Sequence, residues 1–179
     1  MLGKGRWFLI LALAAGSALA AATPAWTTEV DPPATRAAPR ARTLDELLNA
    51  LEVPFTRQDN TYMAVWTNDD GTSTRMVFIA NELAQMDDGT PITFVTMLVP
   101  VIAVPEGTNP PAALLRKLSD ITFALDMGSV VYAASMSMIL YQSSFLLNDA
   151  TVDGLGLQLA YAMLMLPEIQ RELRPFIAD

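Results

Sequence analysis

The chain has 179 residues, 52% of them hydrophobic, and contains neither Cys nor His. Disulfides, thiolate or imidazole metal sites, Cys nucleophiles and His-dependent triads are thereby excluded. The net charge is −8, and from Thr43 onward six basic residues face 17 acidic ones, a net of −11 that repels phosphate backbones and argues against a nucleic-acid partner.

The first 22 residues read as an export signal. Lys4 and Arg6 form a positive start, residues 7–15 an apolar run, and Ser17-Ala18-Leu19-Ala20 a small-x-small cleavage pattern. The run is short for a hydrocarbon core of roughly 30 Å. Cleavage after Ala20 or Ala22 is expected, leaving a mature chain without a membrane span, in the periplasm or outside the cell. Residues 23–42 form a Pro/Ala-rich linker made basic by Arg36, Arg40 and Arg42. Such a segment serves as an extended spacer or as a docking arm.

Residues 43–179 carry the pattern of a folded domain. Thr43-Leu44-Asp45-Glu46 fits a capping box. Leu44, Leu47, Leu48 and Leu51 then form one helical stripe, which Pro54 is expected to stop. Strands are predicted at 61–67 and 75–80, joined across an Asp-Gly turn. A third follows at 92–104, with Pro100 marking a bulge, an edge or a break. Asn109-Pro110-Pro111 announces a second helix whose buried side is Leu114, Leu115 and Leu118. "DITFALD" and "VVYAASMSMILYQ" read as a second hairpin across Met127-Gly128. A last helix begins near Thr151 or Asp153 and runs through Leu155, Leu159, Met163, Leu166, Ile169, Leu173 and Phe176. Pro167 is expected to kink or break it near 163–166. The order is α-β-β-β-α-β-β-α. The fold class is α+β, with five strands in a mainly antiparallel sheet and helices packed on one face.

"LDELLNALEVPFT", "YMAVW", "RMVFIA" and "LLRKLSDITFALDMGSVVYAASM" resemble the YbjN family of bacterial proteins and, more broadly, the type III secretion chaperone-like fold. The resemblance covers residues 43–179. It implies a non-enzymatic binding domain, often dimeric, and brings no catalytic residues. Two departures stand out: the export signal, in a family often cytoplasmic, and Pro167 within the closing helix.

The residue chemistry offers little else. Asp69-Asp70-Gly71 and Asp87-Asp88-Gly89 lack the ligand spacing of a calcium loop and suit hairpin turns. Ser135/Ser137 and Ser143/Ser144 stand in no nucleophile motif, and Gly154-Leu155-Gly156 is no dinucleotide fingerprint. No catalytic, metal or cofactor residue is assigned. The Ser and Met alternation of residues 131–141, read as one strand, sends Tyr132, Ala134, Met136, Met138 and Leu140 to one side. Val131, Ala133, Ser135, Ser137, Ile139 and Tyr141 go to the other, and these six are the candidate partner-binding residues. The Met side is expected under the helices and the Ser side open. A Met-rich open side would also suit varied partners. The expectation is an exported protein- or peptide-binding, chaperone-like domain that self-associates, conceivably as a homodimer. The alternative is an envelope protein holding a small apolar ligand between sheet and helices.

Overall fold

Six strands, not five, form the sheet, in the order β1-β2-β3-β4-β6-β5 with every neighbouring pair antiparallel. The structure, a computed structural model, describes residues 43–68, 70–105 and 110–177, all within one unit, Pro39–Asp179. The expected signal peptide and linker, and the expected Asn109 cap, lie outside the described residues.

Helix α1 spans Leu44–Ala50 and carries the capping box in full: Glu46 N donates to Thr43 Oγ1 at 3.2 Å, and Thr43 N donates to Glu46 Oε2 at 2.9 Å. Seven residues are too few to stand alone in water. Leu44, Leu47 and Leu48 are accordingly buried against the sheet layer. The helix stops three residues before Pro54, at Leu51, and the chain turns through Glu52 at φ 55°.

The added strand is β1, Phe55–Gln58. It has no hydrophobic alternation to reveal it. It forms because Asp59 accepts a φ of 53° and turns the chain back into β2, Thr61–Thr67. The long pair β3, Ser73–Gln85, and β4, Pro91–Ala103, makes the centre of the sheet. Pro100 marks a bulge: the β4–β6 register shifts between Pro100 and Ile102.

The second expected hairpin does not exist as such. Helix α2 runs Ala112–Ala124 and takes in most of "DITFALD". Ile121 continues the stripe of Leu114 and Leu118 at i+7 and i+3, so packing overrides the β-branched composition. Leu115 is exposed rather than buried. The stretch beginning at Val130 is itself a hairpin: β5 spans Ser129–Ala133 and β6 spans Met138–Leu146. A 3-10 turn, Ala134–Met136, and Ser137 at φ 46° join them. Helix α3, Val152–Leu173, is capped by Thr151, whose Oγ1 accepts from Gly154 N at 3.0 Å. It continues unbroken through Pro167, contrary to the expected break.

All three helices cover the same side of the sheet. Leucines from α1, α2 and α3 share one core with alternate residues of the strands, among them Tyr62, Phe78, Met97, Val99 and Tyr141. Tyr141 also fixes the α2–β5 turn. Its hydroxyl donates to Met127 O at 3.0 Å, and Tyr161 Oη accepts from Asp126 N at 2.9 Å. Gly128 follows at φ 78°, where an added Cβ would stand 2.6 Å from both Gln142 O and Tyr141 Oη. Gly128→Ala is expected to lower stability by roughly 2–4 kcal/mol, read as a fall in the urea midpoint at unchanged slope.

The core phenols give a second handle. Burial, then the neighbouring Tyr161, push the Tyr141 phenol up to about 12. Burial, then a 2.6 Å hydrogen bond to Asp45 Oδ1, push Tyr62 up to about 12 as well. In the unfolded chain both ionise near the ordinary value of about 10. Their contribution is therefore fully present below pH 10 and lost as pH rises from 10 to 12. Ultraviolet titration is expected to show two late-ionising tyrosines in the folded protein, one of them lost in Tyr141→Phe.

Candidate protein-docking face

Side chains on a strand alternate between the two faces of a sheet. With one set under the helices, the other set forms a second surface, and no described helix packs on it. The register places Met63, Val77 and Leu98 in one row across β2, β3 and β4. Thr61, Ile79, Thr96 and Ser144 form the next row, and Phe94 faces Leu146 beyond it. On the other flank Val65 faces Arg75, and Leu140 lies between Pro100 and Val131. None of Met63, Val65, Val77, Ile79, Phe94, Leu98 or Val131 belongs to the helix-side core. Met63 is 52% exposed. At about 4.8 Å per strand, six strands give a surface about 24 Å across.

Within these registers Arg75 is the single charged side chain on the face among the described residues. It is exposed and makes no ion pair or hydrogen bond. Beside it lies a concavity of about 380 Å³ whose lining includes Pro54, Phe55, Thr56, Met63, Val65 and Val77 with Arg75 itself.

The two ends of the sheet differ. At β5 the outward-facing backbone groups of Val130 are both taken by Thr122: Val130 N donates to Oγ1 at 2.9 Å, and Oγ1 lies 3.3 Å from Val130 O. At the opposite end Val65 N donates to Pro54 O at 3.0 Å. In an antiparallel ladder that sets Pro54, Thr56 and Gln58 toward β2 and turns the N–H and C=O of Phe55 and Arg57 outward. The apolar concavity therefore adjoins an edge at which no side chain covers the outward backbone groups among the described residues, whereas at β5 Thr122 covers those of Val130 and leaves those of Tyr132.

The six sequence-derived candidates do not form one surface. Val131 and Ala133 lie on the helix-free face with their register partners Leu140 and Met138. Ser135 and Ser137 lie in the turn. Ile139 and Tyr141 are fully buried under the helices. The reason is the turn at 134–137, which breaks the single alternation on which the shared face depended. Met residues fall on both sides: Met76 and Met97 in the core, Met63 and Met138 on the open face. The decisive residues Met63, Val65, Arg75, Val77 and Leu98 were missed. Their signal was present, because apolar side chains occupy both phases of β2, β3 and β4.

A larger cleft, about 630 Å³, lies on the helix side between α1, β1–β3 and the base of the β3–β4 hairpin. Its polar groups serve one another. Asp45 accepts from Tyr62 and, at 3.2 Å, from Arg57, whose Nε donates to Asp59 O at 2.9 Å. The acidic turns are similarly occupied. Asp70 Oδ1 accepts from Thr72 Oγ1 and Thr72 N, and Asp88 Oδ1 from Thr90 N. These bonds hold both carboxyls below their usual range. Ser143 is buried and donates to Gln158 Oε1 at 3.1 Å.

No family model matches the chain, and no curated protein matches it. The resemblance to the YbjN family thus rests on the motifs alone, and one of them, "ITFALD", is helical rather than a strand. Among solved structures the chain is similar to the HopA1–SchA chaperone–effector complex, at 12% identity and a TM-score of 0.48, over 72% of this chain and 90% of that one. A likeness so distant transfers nothing to this chain.

Proposed function

We propose that this is an exported, non-enzymatic protein-binding domain that holds a segment of another protein, chaperone-like, on the helix-free face of its sheet. The observation that carries the reading is the composition of that face. It is broad, carries an apolar patch of Met63, Val65, Val77, Ile79, Leu98 and Phe94 interleaved with uncharged Thr61, Thr96, Gln142 and Ser144, and bears one charge among the described residues, in a domain whose net charge is −11. Soluble monomers rarely leave so extended an apolar surface without a use for it. The signal pattern of residues 1–22 supports a location in the periplasm or outside the cell. The reading of a small apolar ligand between sheet and helices has less support: most of that space is one core of packed side chains, and in the helix-side cleft Asp45, Tyr62 and Arg57 serve one another.

Photo-crosslinking from the native compartment tests this. A photoreactive residue at Leu98, on the open face, is expected to capture partner protein from envelope extracts, and one at Leu157, exposed on α3, to capture much less. Equal capture at both positions, or recovery of the chain only in the cytoplasm with Met1 intact, would falsify the proposal.

Self-association belongs to the helical layer in this reading. Phe123 on α2 is 88% exposed and lies two turns from exposed Leu115. Burial of such a pair between two copies is expected to give a dimer by concentration-dependent light scattering. Phe123→Glu is expected to leave a monomer with an unchanged melting temperature. A wild-type chain that stays monomeric at all concentrations removes this part of the reading.

A further inference from the structure

We infer that the preferred occupant of the docking face is an extended segment of another protein, with apolar side chains at alternate positions and one acidic side chain, added alongside β1 and over the concavity at Arg75. The inference rests on the protein-binding reading and names the partner chemistry for it. Three features of one corner of the sheet carry it.

The first is the open edge. Phe55 and Arg57 turn their backbone N–H and C=O groups outward, while Thr122 closes the far edge at Val130. Unpaired main-chain groups at a sheet edge are satisfied by an added strand, which any sequence in extended conformation can supply. The second is the concavity of about 380 Å³ beside that edge, walled by Thr56, Met63, Val65 and Val77. Every second side chain of an added strand projects to this face, so apolar residues at alternate positions fill it. β1 begins at Phe55, opposite Ala64, whereas β2 continues to Thr67, so an added segment that runs past Pro54 can meet β2 directly.

The third feature is the charge. Arg75 faces Val65 across β2 and β3, is exposed, and has no side-chain partner among the described residues. Its side chain lines the concavity together with Val65, so a carboxylate placed there would find a fork of donors. A second copy of this chain fits less well. Its own β1 is four residues long, and its domain brings a net charge of −11 toward an equal one. A basic segment would place its cation beside Arg75 on an apolar surface that offers no carboxylate.

Selection from a random peptide display library on the full chain, in parallel with Arg75→Glu, tests the inference. Wild-type protein is expected to enrich sequences with alternating apolar residues and one Asp or Glu, and Arg75→Glu to lose the acidic preference. A peptide recovered from wild type is expected to bind Arg75→Glu at least about fivefold more weakly, and Arg75→Gln to a lesser degree. It is also expected to slow amide exchange at Phe55 and Arg57. A basic consensus, an acidic consensus indifferent to Arg75, unprotected β1 amides, or no enrichment at all overturns the inference. Each of these leaves the docking reading to stand or fall on the Leu98 crosslinks. Loss of those crosslinks overturns both.

Discussion

A single layer of three helices covers one side of a six-stranded sheet, and the two-residue period of a strand does the rest. Tyr62, Ala64, Met76, Phe78, Val95, Met97 and Val99 point into the helix-side core. The same strands must send their intervening residues the other way. In a half-solvated antiparallel sheet that second set is polar. Here it mixes Met63, Val65, Val77, Ile79, Phe94 and Leu98 with uncharged Thr61, Thr96 and Ser144. The acidic residues sit in the helices, turns and rim, among them Asp70, Asp88, Asp120, Glu168 and Glu172, where they keep the molecule charged without touching the face. The core is thus drawn from one side of the sheet, and the other is left without a covering helix among the described residues.

That division requires the sheet to be held firmly from the helix side alone. The α2–β5 connection shows how this is done. Tyr141 is buried in the core, yet its hydroxyl reaches Met127 O, and the approach is close enough that residue 128 can carry no side chain. Tyr161, from α3, binds the backbone of Asp126 in the same turn. Two elements, β6 and α3, are therefore fastened to one four-residue connection. Thr122, one turn before the end of α2, then closes the β5 edge at Val130. Edges of this kind invite unwanted pairing. That β5 is closed by a side chain while β1 is not gives the sheet a direction.

Much of this was legible in the residues. The Thr43/Glu46 capping box, the bounds of β2, the Pro100 bulge and the Thr151 start of α3 follow from local chemistry and appear as expected. What misled was short-range ambiguity resolved by packing. "ITFA" has strand composition, but Ile121 lies where α2 needs its third buried residue. "AASMS" alternates like a strand, yet its small residues bend and Ser137 takes a left-handed conformation, so Ile139 and Tyr141 return beneath the helices instead of sharing a face with Val131. β1 has no apolar alternation of its own and is defined only by its pairing with β2. Pro167 is tolerated because its exposed position lets the helix around it stay seated through Leu166 and Ile169. The helix-free face was illegible for a related reason: it is a property of rows across several strands and not of any one of them.

The position of Arg75 constrains how acidic a partner can be. At long range the domain presents a net charge of −11, which slows the approach of any strongly anionic chain. Across more than a screening length of about 8–10 Å that repulsion fades in physiological salt, while a carboxylate in contact with Arg75 still feels the guanidinium over an apolar surface. A polyacidic segment would gain one favourable contact and meet many unfavourable ones. A neutral segment would fill the concavity and leave Arg75 without a counter-charge. One acidic residue among apolar neighbours escapes both penalties, and an extended chain places that residue beside Arg75 while its backbone meets the open edge of β1.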